Sequence, residues 1–166
     1  MSNFWAISAR RATMARGLAN ILHPNVQSDV FTIGLLQDMA VPVLANSGGD
    51  RYRDIYQSWL GGNLCDLTEQ EQDQLNMNHA HLGAQMAEYW EFPQPLVDAI
   101  KGHHALSDEA PLSVRIAALI KGSAENDTSE IIVEKAQRMF HVGSIITIEM
   151  VDEILNESGS LAAALN

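Results

Sequence analysis

The chain has a single cysteine, Cys65, and is short of positive charge, with ten lysines and arginines against 21 aspartates and glutamates in 166 residues. A lone thiol excludes an intramolecular disulfide, and no zinc or redox spacing surrounds it, which fits a reducing compartment. The formal net charge of −11 repels phosphate backbones, so nucleic acid is not an expected partner. Arg10, Arg11 and Arg16 form the one basic cluster, and three arginines on one helix read first as a solvated face. Apolar runs such as Leu18–Leu22 and Ile116–Ile120 fall far short of the roughly 20 residues a membrane span needs. The N-terminus also lacks a basic region followed by a long apolar run and a small-residue cleavage site. A cytoplasmic protein without membrane contact is expected.

Also missing are glycine-rich phosphate loops, nucleophile triads, repeats, low-complexity tracts and runs of alternating polar and apolar residues. What is present is helical spacing almost throughout. Ile7, Met14, Leu18 and Ile21 or Leu22 build one apolar face of a helix over Phe4–Leu22. A second helix is expected from Ser28 or Asp29 through Phe31, Leu35 and Met39 to Leu44, stopped by Asn46-Ser47-Gly48-Gly49. A third should cover Arg51–Leu60 before a Gly61-Gly62-Asn63 turn. Thr68 with Glu71 has capping-box spacing and opens a long helix to about Glu91. Further helices are expected over Pro93–His104, Pro111–Ala124, Ser129–Phe140 and Thr147–Asn156, with 158–166 as a fraying tail. The expected fold is all-α, a bundle of about seven or eight helices, and with 46% apolar residues residues 1–166 can bury one core as a single domain.

The polar residues set into these helices carry the chemistry. Asp38 follows Gln37 after an apolar stretch, His79 opens His79-Ala80-His81-Leu82-Gly83-Ala84, and His103-His104 ends Ala99-Ile100-Lys101-Gly102-His103-His104. Together with Phe31, Gly34, Leu35 and Leu36 before Asp38, and Trp90, Phe92 and Pro93 after His79, this order and spacing resembles HDOD domains, a branch of the HD superfamily found in bacterial signalling proteins. The resemblance is strongest over 4–124, with 125–157 as C-terminal helices. It covers the later half of a complete HDOD domain, so an earlier helical portion is expected to be absent. The apolar face left open would then meet a second copy or a partner.

In catalytic HD relatives, imidazoles and carboxylates converge on divalent ions that bind phosphate and activate water. The resemblance maps Asp38, His79, His103 and His104 onto remnant ligand positions. It places Ile7, Gln37 and Lys121 where ligands are lost: an alkyl chain, a neutral amide and a like charge. No catalytic residue, resident metal or cofactor is therefore expected, only an adventitious divalent ion, and the remnant reads as a buried polar network around Asp38. The function implied is a non-catalytic regulatory or scaffolding module of signal transduction that binds a protein partner or an attached signalling domain. The alternative is a metal-dependent phosphohydrolase acting on a cyclic dinucleotide. His81 is expected in solvent, His23 and His141 at helix ends, and Trp5, Trp59 and Trp90 in packing.

Overall fold

The computed structural model describes residues 4–23, 27–60, 67–106, 108–122 and 126–164. Its first helix, α1 (Phe4–Leu22), is the strut on which the others lean. Small residues at Ala9, Ala12, Ala15 and Ala19 are fully buried and let neighbouring helices approach its backbone. The next helix, α2 (Gln27–Leu36), lies against it, as do α8 (Leu112–Ala117) and α10 (Ile148–Ala164). At Gly34 the two backbones come close: an added Cβ would stand 2.9 Å from Ala12 Cα and 3.0 Å from Arg11 O. Backbone atoms cannot swing aside, so Gly34→Ala is expected to lower stability by about 1–3 kcal/mol. A lower denaturant midpoint at unchanged slope would register it.

Between these lie α3 (Val41–Ser47), α4 (Gly49–Leu60), α5 (Leu67–Leu75), α6 (His79–Tyr89), α7 (Gln94–Lys101) and α9 (Ser129–Phe140), with a short 3₁₀ turn at Gly143–Ile145. No strand occurs among the described residues. The main core joins Met14 and Leu18 of α1 and Ile33 of α2 to Val114, Ile116, Ile132, Val151 and Ile154. Smaller clusters join Ala84, Val97 and Ile100 across α6 and α7, and Val41, Leu44 and Tyr52 across α3 and α4.

The all-α expectation holds, but the described residues form ten α-helices because two expected helices are each divided. The expected Ser28–Leu44 helix breaks at a turn over 37–40, and Pro42 occupies the first turn of α3, where its missing N–H costs nothing. The expected Thr68–Glu91 helix breaks at 76–78: Asn76 adopts a left-handed φ of 56°, and the Asn78 side chain caps α6 by accepting from His81 N at 2.9 Å. The expected Pro111–Ala124 helix shortens to α8. The last helix, α10, extends past the expected Asn156 end to Ala164. The Gly61-Gly62-Asn63 turn lies outside the described residues.

One stretch overlooked in the sequence, 29–47, has the length and mean hydropathy (1.3) of a membrane span. The turn that divides it and the burial of part of it in the bundle are what a core segment shows. His81 is exposed as expected, and Trp59 is core, but Trp5 and Trp90 are half exposed rather than packed.

Candidate metal centre

The polar centre is assembled from helix ends. Asp38 lies in the turn that ends α2, His79 is the first residue of α6, and His103-His104 follow α7 in its terminal turn. Asp38, His79 and His103 are buried and His104 nearly so. His79 Nε2 lies 3.3 Å from His103 Nε2 and 3.1 Å from His104 Nε2. Asp38 Oδ1 lies 3.2 Å from His79 Nε2 and 3.3 Å from His103 Nε2. One donor atom from each of the four residues falls within 4.8 Å of all the others.

The outer nitrogens fix the tautomers. His79 Nδ1 donates to Glu71 Oε2 at 2.6 Å, an oxygen that also accepts from His79 N at 2.7 Å. His103 Nδ1 donates to the Ile100 carbonyl at 2.6 Å. With Nδ1 of each ring directed outward, His79 and His103 turn their Nε2 atoms toward the same point. Burial first, and then electrostatic interaction with His103, His79 and Arg11, push the His104 imidazole well below its ordinary range. The outward carboxylate behind His79 and carbonyl behind His103 are of the kind that orients histidine ligands on metals.

Three contributors were not recognised in the sequence. Glu71, read as a capping-box partner, is fully buried and also accepts from Tyr52 Oη at 2.7 Å. Burial and that carboxylate raise the Tyr52 pKa, so its hydroxyl remains a donor. Arg11, read as part of a solvated face, is buried and pairs with Asp38 Oδ2. It also donates to the Ile120 carbonyl through Nε at 2.9 Å and Nη2 at 2.6 Å. Desolvation lowers its pKa to about 10, which leaves it charged at neutral pH. The other two arginines behave differently: Arg16 lies over the Phe31 ring and Arg10 meets Asp127 at 3.4 Å.

Two of the three positions where ligands were expected to be lost fall on the Arg11 side. Ile7 and Lys121 line, with Arg11, Asp38, His79 and His104, a cavity of about 10 Å³, room for about one water-sized particle. The Lys121 amine lies 4.9 Å from the Trp59 ring centroid. Gln37 is fully buried, and its amide makes no hydrogen bond among the described residues.

Helix-end donors, an outward-braced His79, and the ordered series Asp38, His79, His103-His104 agree with the match of residues 1–106 to the HDOD domain family. The chain belongs to the HDOD domain family. The family match stops short of 124, to which the motif resemblance was read. Among solved structures, this HDOD domain is similar to a candidate phosphohydrolase from Shewanella amazonensis SB2B, at 19% identity and a TM-score of 0.67. The match covers 95% of this chain and 60% of that protein, so the HDOD domain here spans less than two thirds of its neighbour's length. At that identity the likeness establishes the helical fold alone. No curated protein matches.

Proposed function

We propose that this HDOD domain is a non-catalytic regulatory module of cytoplasmic signal transduction, which binds a protein partner or an attached signalling domain through its helical surface. The observation that carries the reading is the Arg11 guanidinium on Asp38 Oδ2. A hydrolytic centre uses such a carboxylate to hold an ion that binds phosphate and polarises water. Here a side chain that can neither carry a water nucleophile nor be displaced without leaving a buried charge holds that oxygen. The cavity beside it, about 10 Å³, is of the size of a single water-sized particle. Exposed Tyr89 and half-exposed Trp90, adjacent at the end of α6, offer aromatic surface of the kind enriched in protein interfaces.

The phosphohydrolase alternative draws on the four converging donors, and turnover separates the two. Protein purified without chelator and assayed in manganese with a cyclic dinucleotide and a generic phosphodiester is expected to give no hydrolysis above the protein-free rate. Hydrolysis that disappears in Asp38→Ala would overturn the regulatory reading.

A further inference from the structure

Helix α9, the 3₁₀ turn and the first turn of α10 enclose a groove of about 390 Å³, within the roughly 300–1,000 Å³ of ligand-sized pockets. It lies wholly beyond residues 1–106, the span matched to the family. Glu130 and Glu134 line it one helical turn apart on α9, Glu149 lines it from the first turn of α10, and Val133, Ile146 and Ile148 supply its apolar lining. We infer that this groove docks a basic segment of a protein partner, with an apolar side chain on Val133, Ile146 and Ile148 and lysines or arginines on the three glutamates.

The groove is held in shape by the fold itself. Val133 and Ile146 are buried members of the main core, whereas Ile148 and the neighbouring Ile145 remain exposed. Ser129 Oγ donates to Asp152 and ties the start of α9 to α10. Gln137 Nε2 donates to the Gly143 carbonyl at 3.1 Å and so fixes the 3₁₀ turn to α9, while Thr147 Oγ1 accepts from Met150 N at 3.4 Å and caps α10. A groove formed before the partner arrives spares the complex that part of the ordering cost.

Charge selects the occupant. Hydrogen bonds from its own amide and from Thr147 hold the Glu149 carboxyl below its usual range, so it is ionised at neutral pH. Glu130 and Glu134 are exposed on α9, and among the described residues no lysine or arginine lines the groove. Complementary potential favours a basic partner and turns away an acidic one. A free polyamine would meet the carboxylates but leave Ile148 in water, so the apolar lining favours a peptide that carries both kinds of side chain. This inference rests on the regulatory reading for the class of partner. Hydrolysis tests that reading and peptide binding tests only the groove, so each can fail alone.

The test titrates the whole chain into a short fluorescent peptide of leucine and lysine at low salt, with a leucine–glutamate peptide and spermine as comparisons. The leucine–lysine peptide is expected to saturate one site per chain and to shift backbone amide resonances within 130–149. Glu130→Gln with Glu134→Gln should weaken it about 3- to 30-fold, the loss of two exposed ion pairs. Glu69→Gln with Asp73→Asn removes the same charge at the same spacing from exposed positions on α5, and should change affinity by less than about twofold because screening confines such charges to their surroundings. Ile148→Ala should weaken binding by on the order of tenfold through lost apolar contact. Equal losses in the α9 and α5 double variants would reduce the effect to the chain's net charge of −11 and overturn the inference. So would amide shifts centred elsewhere, equal binding of the leucine–glutamate peptide, equally tight binding of spermine, or no binding of the leucine–lysine peptide. If a variant does not fold, the wild-type shift map and the peptide comparison decide the matter.

Discussion

Asp38→Ala is expected to destabilise the fold by roughly 3–5 kcal/mol, the range for removing one partner of a buried ion pair. The loss does not come from the attraction alone. Arg11 is buried with its guanidinium fixed between Asp38 and the Ile120 carbonyl, so removing the carboxylate strands a desolvated positive charge on the helix against which α2, α8 and α10 pack. Replacing both partners, as Arg11→Met with Asp38→Leu, removes the stranded charge and is expected to cost much less than the sum of the single changes. Urea unfolding of the two single variants and the double variant measures the coupling. Additive losses would show that the pair contributes nothing beyond its separate side chains.

The second large effect is expected at Glu71. Its carboxylate accepts from Tyr52 Oη, His79 N and His79 Nδ1, and all three donors are buried with it. Glu71→Ala leaves three donors unpaired at about 1–3 kcal/mol each, so a loss of about 3 kcal/mol or more is expected. Tyr52→Phe removes one donor along with its demand and should cost about 1 kcal/mol. An equal loss in the two variants, measured by chemical denaturation, would mean that Glu71 is held by packing and not by this network.

The contrast between Glu71 and Asp38 shows where sequence reading succeeds. Asp38, His79 and His103-His104 were legible because each lies in a local string with fixed spacing, and the fold brings these strings together as the family order implies. Glu71 was not, because Thr68 and Glu71 satisfy a capping rule that a buried acceptor at the same position satisfies equally well. The informative relation was tertiary: Glu71 lies eight residues before His79, across the break between α5 and α6. That break itself had signals, Asn76 and Asn78, just as Pro42 marked the start of α3. In both places a continuous apolar rhythm outweighed the local punctuation.

Arg11 was misread for a related reason. Composition treats three arginines on one helix alike, but their directions around the axis differ. Only Arg11 faces both the Asp38 turn and the Ile120 carbonyl. Helix boundaries were most legible where a core face coincides with clear ends, as in Phe4–Leu22 and Ser129–Phe140. The extension of α10 to Ala164 had no comparable mark, since small residues such as Ala162, Ala163 and Ala164 suit a helix as well as a loose end.

The divided 29–47 stretch also bears on how the chain is made. Synthesis runs from the N-terminus, so residues 4–22 leave the ribosome before 29–47 follows them. The nascent chain therefore already carries the surface against which α2 packs in the finished fold. A segment with the hydropathy of a membrane span thus emerges after the helix that covers part of it, and an arrangement with α1 encoded later would leave it without that cover until α1 had been made.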